Sequence, residues 1–217
     1  MRVAVAGGHG RIALLVTGLL ADRGDRVTSL VRDPGQFDDV RAAGGEPVLC
    51  DLESADVDRV AAAVAGADAA LFAAGAGAGS GAARKDTVDR GASALFAAAA
   101  EAAGVSRFAQ ISSGGIGRVT GDEVFDAYLA AKGAAEEDLR ARPLDWTVLR
   151  PGRLLDEPGT GLVTVAEAPL RGSVPRADVA AVVVALFDHP TTIGRTYELV
   201  SGSTPVAEVF GPSTRSR

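Results

Sequence analysis

The chain has 217 residues, 47% hydrophobic, 23% charged and 5% aromatic, with a formal charge of −6. That is enough chain for one domain with a full core, and it is too apolar for a disordered protein. The acidic balance argues against a nucleic-acid partner, which calls for a basic patch. No apolar run approaches the ~20 residues that cross a bilayer, so no membrane partner is expected either.

Short β-branched runs alternate with longer alanine-rich helical patterns from the first residue to about Arg150. Arg2–Ala6 reads as a strand that follows directly on Met1, so no cleavable signal is expected. Arg11–Asp22 reads as a helix with apolar Ile12, Leu15, Val16 and Leu19. Arg26–Val31 is a second strand, Pro34–Ala43 a short helix and Pro47–Cys50 a third strand. Ser54–Ala65 reads as a helix that Ser54 caps, and Ala69–Ala73 as a fourth strand. A glycine-rich loop, Gly75–Arg84, follows; it reads as a mobile lid or a flexible crossover. Then come a helix from about Asp86 to Ala103, a strand at Arg107–Ile111, a helix at Glu123–Arg140 and a strand at Asp145–Arg150. Strands separated by helix-length crossovers pair in parallel, so the expected fold is α/β with a doubly wound parallel sheet. The last third is less regular, with a strand at Leu162–Val165, a helix near Ala177–Asp188 and a strand at Thr196–Val200. It forms a small substrate-side region of one domain spanning 1–217, whose tail, about 203–217, is expected to be loosely held.

Cys50 has no second cysteine to pair with, and with His9 and His189 it builds no convincing zinc site, so no metal is expected. After an apolar stretch it reads as a buried structural thiol. A reducing, cytoplasmic compartment is the default.

The first strand runs into Gly7-Gly8-His9-Gly10-Arg11-Ile12-Ala13, which satisfies G-x-G-x-x-A through Gly8, Gly10 and Ala13. Glycines permit a tight strand-to-helix turn and close backbone approach, and Ala13 lets the helix pack near the sheet. The N–H groups that open the helix, at Arg11 and Ile12, then face a pyrophosphate. The nucleotide is chosen after the second strand, where an acid bonds the ribose of NAD and an arginine takes the 2′-phosphate of NADP. Arg32 precedes Asp33-Pro34 there, which favours NADP(H) over NAD(H) and leaves Asp33 as a cap for the next helix. Asp51 reads equally as an adenine contact or a turn cap.

Tyr128-Leu129-Ala130-Ala131-Lys132 places a phenol and an ammonium one helical turn apart. A cation beside a phenol favours phenolate, so Tyr128 is a candidate proton donor or acceptor. Ser112 and Ser113 close the fifth strand at the sheet's carboxyl edge, and either hydroxyl could polarise a carbonyl. Arg153 reads equally as an anion contact or a solvated side chain, and Trp146 as core.

With these motifs the sequence is similar to the short-chain dehydrogenase/reductase superfamily, most of all to its small NmrA-like and flavin/biliverdin-reductase-like members. The resemblance covers residues 1–202 and extends to VRDP at 31–34, Asp51-Leu52, Ala73-Ala74-Gly75, Leu149-Arg150-Pro151-Gly152 and Arg176-Ala177-Asp178-Val179. It implies a Rossmann-type, NAD(P)H-dependent reductase of a small carbonyl, quinone or flavin-like molecule. It also implies that Gly7, Gly8, His9 and Gly10 hold the pyrophosphate and Arg32 the adenosine phosphate, with Asp51, Leu52, Ala74, Gly75 and Ser112 lining the cofactor. Lys132 would bond the nicotinamide ribose, Tyr128 handle the proton and Ser113 orient the carbonyl, with Pro151 and Gly152 near the nicotinamide amide. An NmrA-like NAD(P) sensor without turnover is one alternative. A sugar-nucleotide epimerase or dehydratase is another, which the short C-terminal portion disfavours.

Overall fold

The computed structural model describes residues 1–77 and 79–211. The chain starts at the centre of its sheet. In β1 (Arg2–Ala6), Val3 and Val5 belong to one buried cluster and Ala4 and Ala6 to another. Strand residues alternate faces, so a strand apolar at every position from Val3 onward must be covered on both sides. β2 (Arg26–Val31) and β4 (Ala69–Phe72) flank β1, both in parallel. β3 (Glu46–Leu49) extends the sheet beyond β2, and β5 (Arg107–Ile111) and β6 (Asp145–Pro151) extend it beyond β4. The strand order therefore reverses between β1 and β4, which opens a crevice at their carboxyl ends.

One face is covered by α1 (Arg11–Asp22) and α7 (Arg176–Asp188), which pack together. α1 buries Ile12, Ala13, Val16 and Leu20, while Leu15 and Leu19 remain 41% exposed. The other face carries α3 (Val57–Val64), α5 (Ser93–Ala102) and α6 (Glu123–Arg140). A tilted stack of Phe72, Phe96 and Phe108 fills the space beneath them. α2 (Phe37–Ala42) is a short helix before β3.

Two local expectations are corrected. α3 starts at Val57 because Asp56, not Ser54, caps it, accepting from Arg59 N at 2.9 Å; the Ser54 hydroxyl donates to Asp51 O instead. The helix expected from Asp86 begins at α4 (Ala82–Arg84) and runs through a π-helical stretch, Lys85–Ala92, into α5, taking in the last residues of the glycine-rich loop. Wider turns rotate Lys85, Val88, Asp89 and Ala92 inward, and such turns concentrate at functional sites. Ala78 lies outside the described residues.

The C-terminal third adds β10 (Arg195–Ser201) in parallel beside β6, then β8 (Leu162–Ala166) and β11 (Thr204–Pro205), paired antiparallel at the edge. β7 (Arg153–Leu155) and β9 (Ser173–Pro175) form a separate two-stranded ribbon that periodicity did not signal. Residues 203–211, expected to be loosely held, are fastened by the β11 pairing. Val206, Val209 and Phe210 pack on the core, and Gly211 O accepts from His189 Nε2 at 3.1 Å. Residues 212–217 of that expected tail lie outside the described residues. Among the described residues, no helix is long and apolar enough to cross a membrane.

Candidate active site

The crevice begins where β1 ends. Gly7 turns the chain with φ +73°, and a Cβ there would stand 2.6 Å from Ala74 Cα; a Cβ on Gly8 would stand 2.4 Å from that of Ser29. Only glycine lets the loop settle against β2 and the end of β4. Gly10 N donates to Gly7 O at 2.8 Å, and α1 starts one residue later. α1 has neither a side-chain cap nor an acid in its first turn, whereas Asp56 caps α3 and Asp122 caps α6. Its first N–H groups and the positive end of its dipole are left to a ligand, so the cradle fits a pyrophosphate.

On the β2 side lies a cleft of about 250 Å³ lined by Gly7, His9, Gly10, Arg32, Asp51 and Leu52, among others. Arg32 is half exposed and 3.7 Å from Glu53, which Arg84 also holds at 2.8 Å. Asp33 accepts from Gly35 N at 2.8 Å, so its carboxylate caps the turn that Pro34 opens. Asp51 lines the cleft and also caps, accepting from Glu53 N at 3.0 Å. His9 Nε2 lies 2.7 Å from Asp39. Cys50, largely buried, also lines this cleft; burial pushes its thiol up, and Arg59 partly offsets that.

A second cleft, about 730 Å³, lies beyond the glycine loop, between residues 73–81 and α6. Tyr128, Lys132 and Glu136 are four apart on α6 and share one face. The half-buried Tyr128 ring has Lys85 Nζ at 5.3 Å and Lys132 Nζ at 5.9 Å from its centroid, and Phe125 stacks on it. Lys132 is 3% exposed, so it is no solvated surface side chain. Its Nζ lies 3.2 Å from Asp89 Oδ1 and donates to Ile111 O at 3.3 Å and Ala74 O at 3.5 Å. Asp89, fully buried on the π-helical stretch, also accepts from Ala76 N.

One turn deeper, the buried Glu136 accepts from Arg150 at 2.6 and 2.9 Å, from Arg140 at 2.6 Å and from the Ser112 hydroxyl at 2.6 Å. Ser112 lines the second cleft with its hydroxyl engaged by Glu136, whereas the Ser113 hydroxyl has no side-chain partner among the described residues. Ser113, Pro151 and Gly152 line a third, outer cleft of about 980 Å³, where the Ser113 hydroxyl donates to Gly114 O at 3.3 Å. Tyr128 lines both the second and the outer cleft. Glu198, cross-strand from Arg150 and 3.4 Å from it, is a buried carboxylate in the outer wall. Burial pushes its carboxyl up, Arg150 pulls the other way, and Glu136 adds to the rise.

Sequence reasoning passed over Lys85, Asp89, Glu136 and Glu198, and quoted Arg150 without giving it a role. A signal existed for three of them. Lys85 and Asp89 occupy the buried side of a helix with Val88 and Ala92, and Glu136 continues the spacing of Tyr128 and Lys132. Arg150 and Glu198 meet only through the β6–β10 register.

Three comparisons bear on this site. A family model described as NAD(P)H-binding matches residues 7–190. The chain is 37% identical to the uncharacterized sugar epimerase YhfK of Bacillus subtilis, over 97% of this chain and 99% of that one. Among solved structures, a putative NAD-dependent epimerase/dehydratase from Bacillus halodurans superposes with TM-score 0.88 at 34% identity, covering 97% of this chain and 98% of that one. ChuY, an anaerobilin reductase from Escherichia coli O157:H7, does so with TM-score 0.77 at 25% identity, covering 93% and 97%.

Proposed function

The chain belongs to the NAD(P)H-binding family, and on that premise we propose that it is an NADPH-dependent reductase of a small carbonyl, quinone or flavin-like acceptor. The observation that carries this reading is the position of Tyr128. Its phenol lies where the cleft leading from the glycine loop meets the outer cleft, beside two ammonium groups. In this reading the uncapped start of α1 and Gly7, Gly8, His9 and Gly10 hold the pyrophosphate. Arg32 takes the 2′-phosphate, while Asp51, Leu52, Ala74, Gly75 and Ser112 line the nucleotide. The bound dinucleotide supplies the hydride. Tyr128 gives a proton to the acceptor oxygen as it gains charge, and Lys132 keeps an ammonium beside the phenol and the ribose. Asp89 holds Lys132 in place. Ser113 orients the acceptor, with Pro151 and Gly152 forming the wall opposite.

The test is NADPH oxidation with a panel of aldehydes, quinones and flavins. Turnover is expected with at least one class. Tyr128→Phe should lower kcat for carbonyl acceptors by about 100-fold or more, with NADPH affinity nearly unchanged. Flavin reduction should survive better, since hydride transfer to flavin need not await the phenol. Tight NADPH binding with no turnover on any class overturns the reading in favour of an NAD(P) sensor.

A second reading is favoured by the names of two relatives, the sugar epimerase and the epimerase/dehydratase. An epimerase returns its hydride to the substrate, so it would interconvert sugar epimers without net NADPH consumption. Chromatography of nucleotide sugars after incubation with the NAD(P)+-loaded protein separates the two.

A further inference from the structure

The arginines that line the three clefts differ in one respect. Near the glycine loop and in the cleft on the β2 side each faces a carboxylate, as does Arg176, which also lines the outer cleft. Arg32 and Arg84 share Glu53, and Arg11 and Arg176 share Asp156. Arg118, Arg153 and Arg171, which line the outer cleft, have no carboxylate within ion-pair distance among the described residues. They come from three segments. Arg153 opens β7, Arg171 precedes β9, and Arg118 follows the Gly114–Gly117 turn after β5. The β7–β9 ribbon brings the first two together, since Arg153 pairs with Ser173 and its N–H donates to Gly172 O at 3.0 Å.

Gathering like charges without counter-charge works against stability, and this chain has acid to spare at −6. The cleft's carboxylate, Glu198, is buried and faces Arg150 instead. We infer that the acceptor is an anion whose carboxylate or phosphate is held by Arg153 and Arg171, with Arg118 closing over it. This rests on the reductase reading of the same site. Guanidinium forks match both oxyanions, and the cleft volume suits a small molecule. Tyr128 lines the same cleft, so an anion anchored at the arginines has its reducible group directed towards the phenol.

The test separates the anion site from the reductase reading. Terephthalate and glycerol 3-phosphate, with their neutral counterparts 4-methylbenzamide and glycerol, are titrated calorimetrically into the NADP+-saturated protein. At least one anion should bind about tenfold or more tighter than its counterpart, and Arg153→Gln/Arg171→Gln should remove most of that difference. Which anion wins distinguishes carboxylate from phosphate. Both replaced side chains are exposed and line neither the glycine loop nor the cleft on the β2 side, so melting temperature and NADPH affinity report that the variant is folded. In turnover, 4-carboxybenzaldehyde should outrun benzaldehyde, and the double variant should raise KM for the acid more than it changes kcat. Equal binding of anions and neutral compounds, or a variant that keeps the preference, overturns the inference. Anion binding that the variant abolishes, with no NADPH oxidised by any aldehyde, sinks the reductase reading and leaves the anion site standing.

Discussion

The two ends of this cleft handle charge in opposite ways. At the glycine-loop end, the arginines and Lys132 already have carboxylate partners, and Gly7, Gly8 and an uncapped helix start present backbone to the cleft. At the outer end, Arg118, Arg153 and Arg171 are exposed and have no carboxylate partner among the described residues. Charge at the first end is therefore structural, and removing one partner strands the other. At the second end it is available to a ligand, and removing it should cost binding rather than stability.

The largest expected effect breaks the comparison at its most buried point. Lys132→Met leaves Asp89, fully buried, without its cation, and should lower unfolding free energy by about 3–5 kcal/mol. Lys132→Met/Asp89→Leu should recover most of that while remaining weak in NADPH binding. Chemical denaturation of both variants measures it, and a single variant as stable as the parent would mean that the pair carries no structural role.

An intermediate effect sharpens the other end. Burial raises the Glu198 carboxyl above the ordinary carboxylate range, against the pull of Arg150 and with the push of Glu136. Above that raised value the side chain is anionic and repels an incoming anion. As pH falls through it, Glu198 takes up a proton and the outer cleft becomes more positive. Affinity for 4-formylbenzenesulfonate, whose own charge does not change, should therefore rise severalfold as pH falls. Glu198→Gln should bind it with the higher affinity throughout and with a flattened pH profile. A titration that follows the parent's pH profile unchanged would remove Glu198 from the anion site.

The smallest effect concerns Arg32. It is half exposed and already shares Glu53 with Arg84, so Arg32→Ala should weaken NADP+ by about 1 kcal/mol, roughly fivefold, and leave NAD+ unchanged. Calorimetric titration of both nucleotides checks it. Equal losses for the two would assign the 2′-phosphate contact elsewhere.

Much of the molecule was legible in the sequence for local reasons. The continuous apolar run of β1, the glycines at its end and the four-residue spacing of Tyr128 and Lys132 are short-range patterns. Their consequences, a doubly wound sheet with a tight glycine turn and a phenol and an ammonium on one helix face, follow from backbone geometry alone. Asp33 as a turn cap was readable for the same reason. The rest depends on distance in space. Asp89 meets Lys132 across 43 positions because a π-helical stretch rotates it inward, and Ser112 turns to Glu136 because α6 lies over the end of β5. The tail to Gly211 is fastened by β8, β10 and α7, whose neighbourhood no short window reports. The sequence by itself determined which residues we propose to hold a dinucleotide and move a proton. Which charges are neutralised and which stay open to a ligand was decided only by the tertiary structure, because ion pairing depends on side chains that meet through strand register and helix packing.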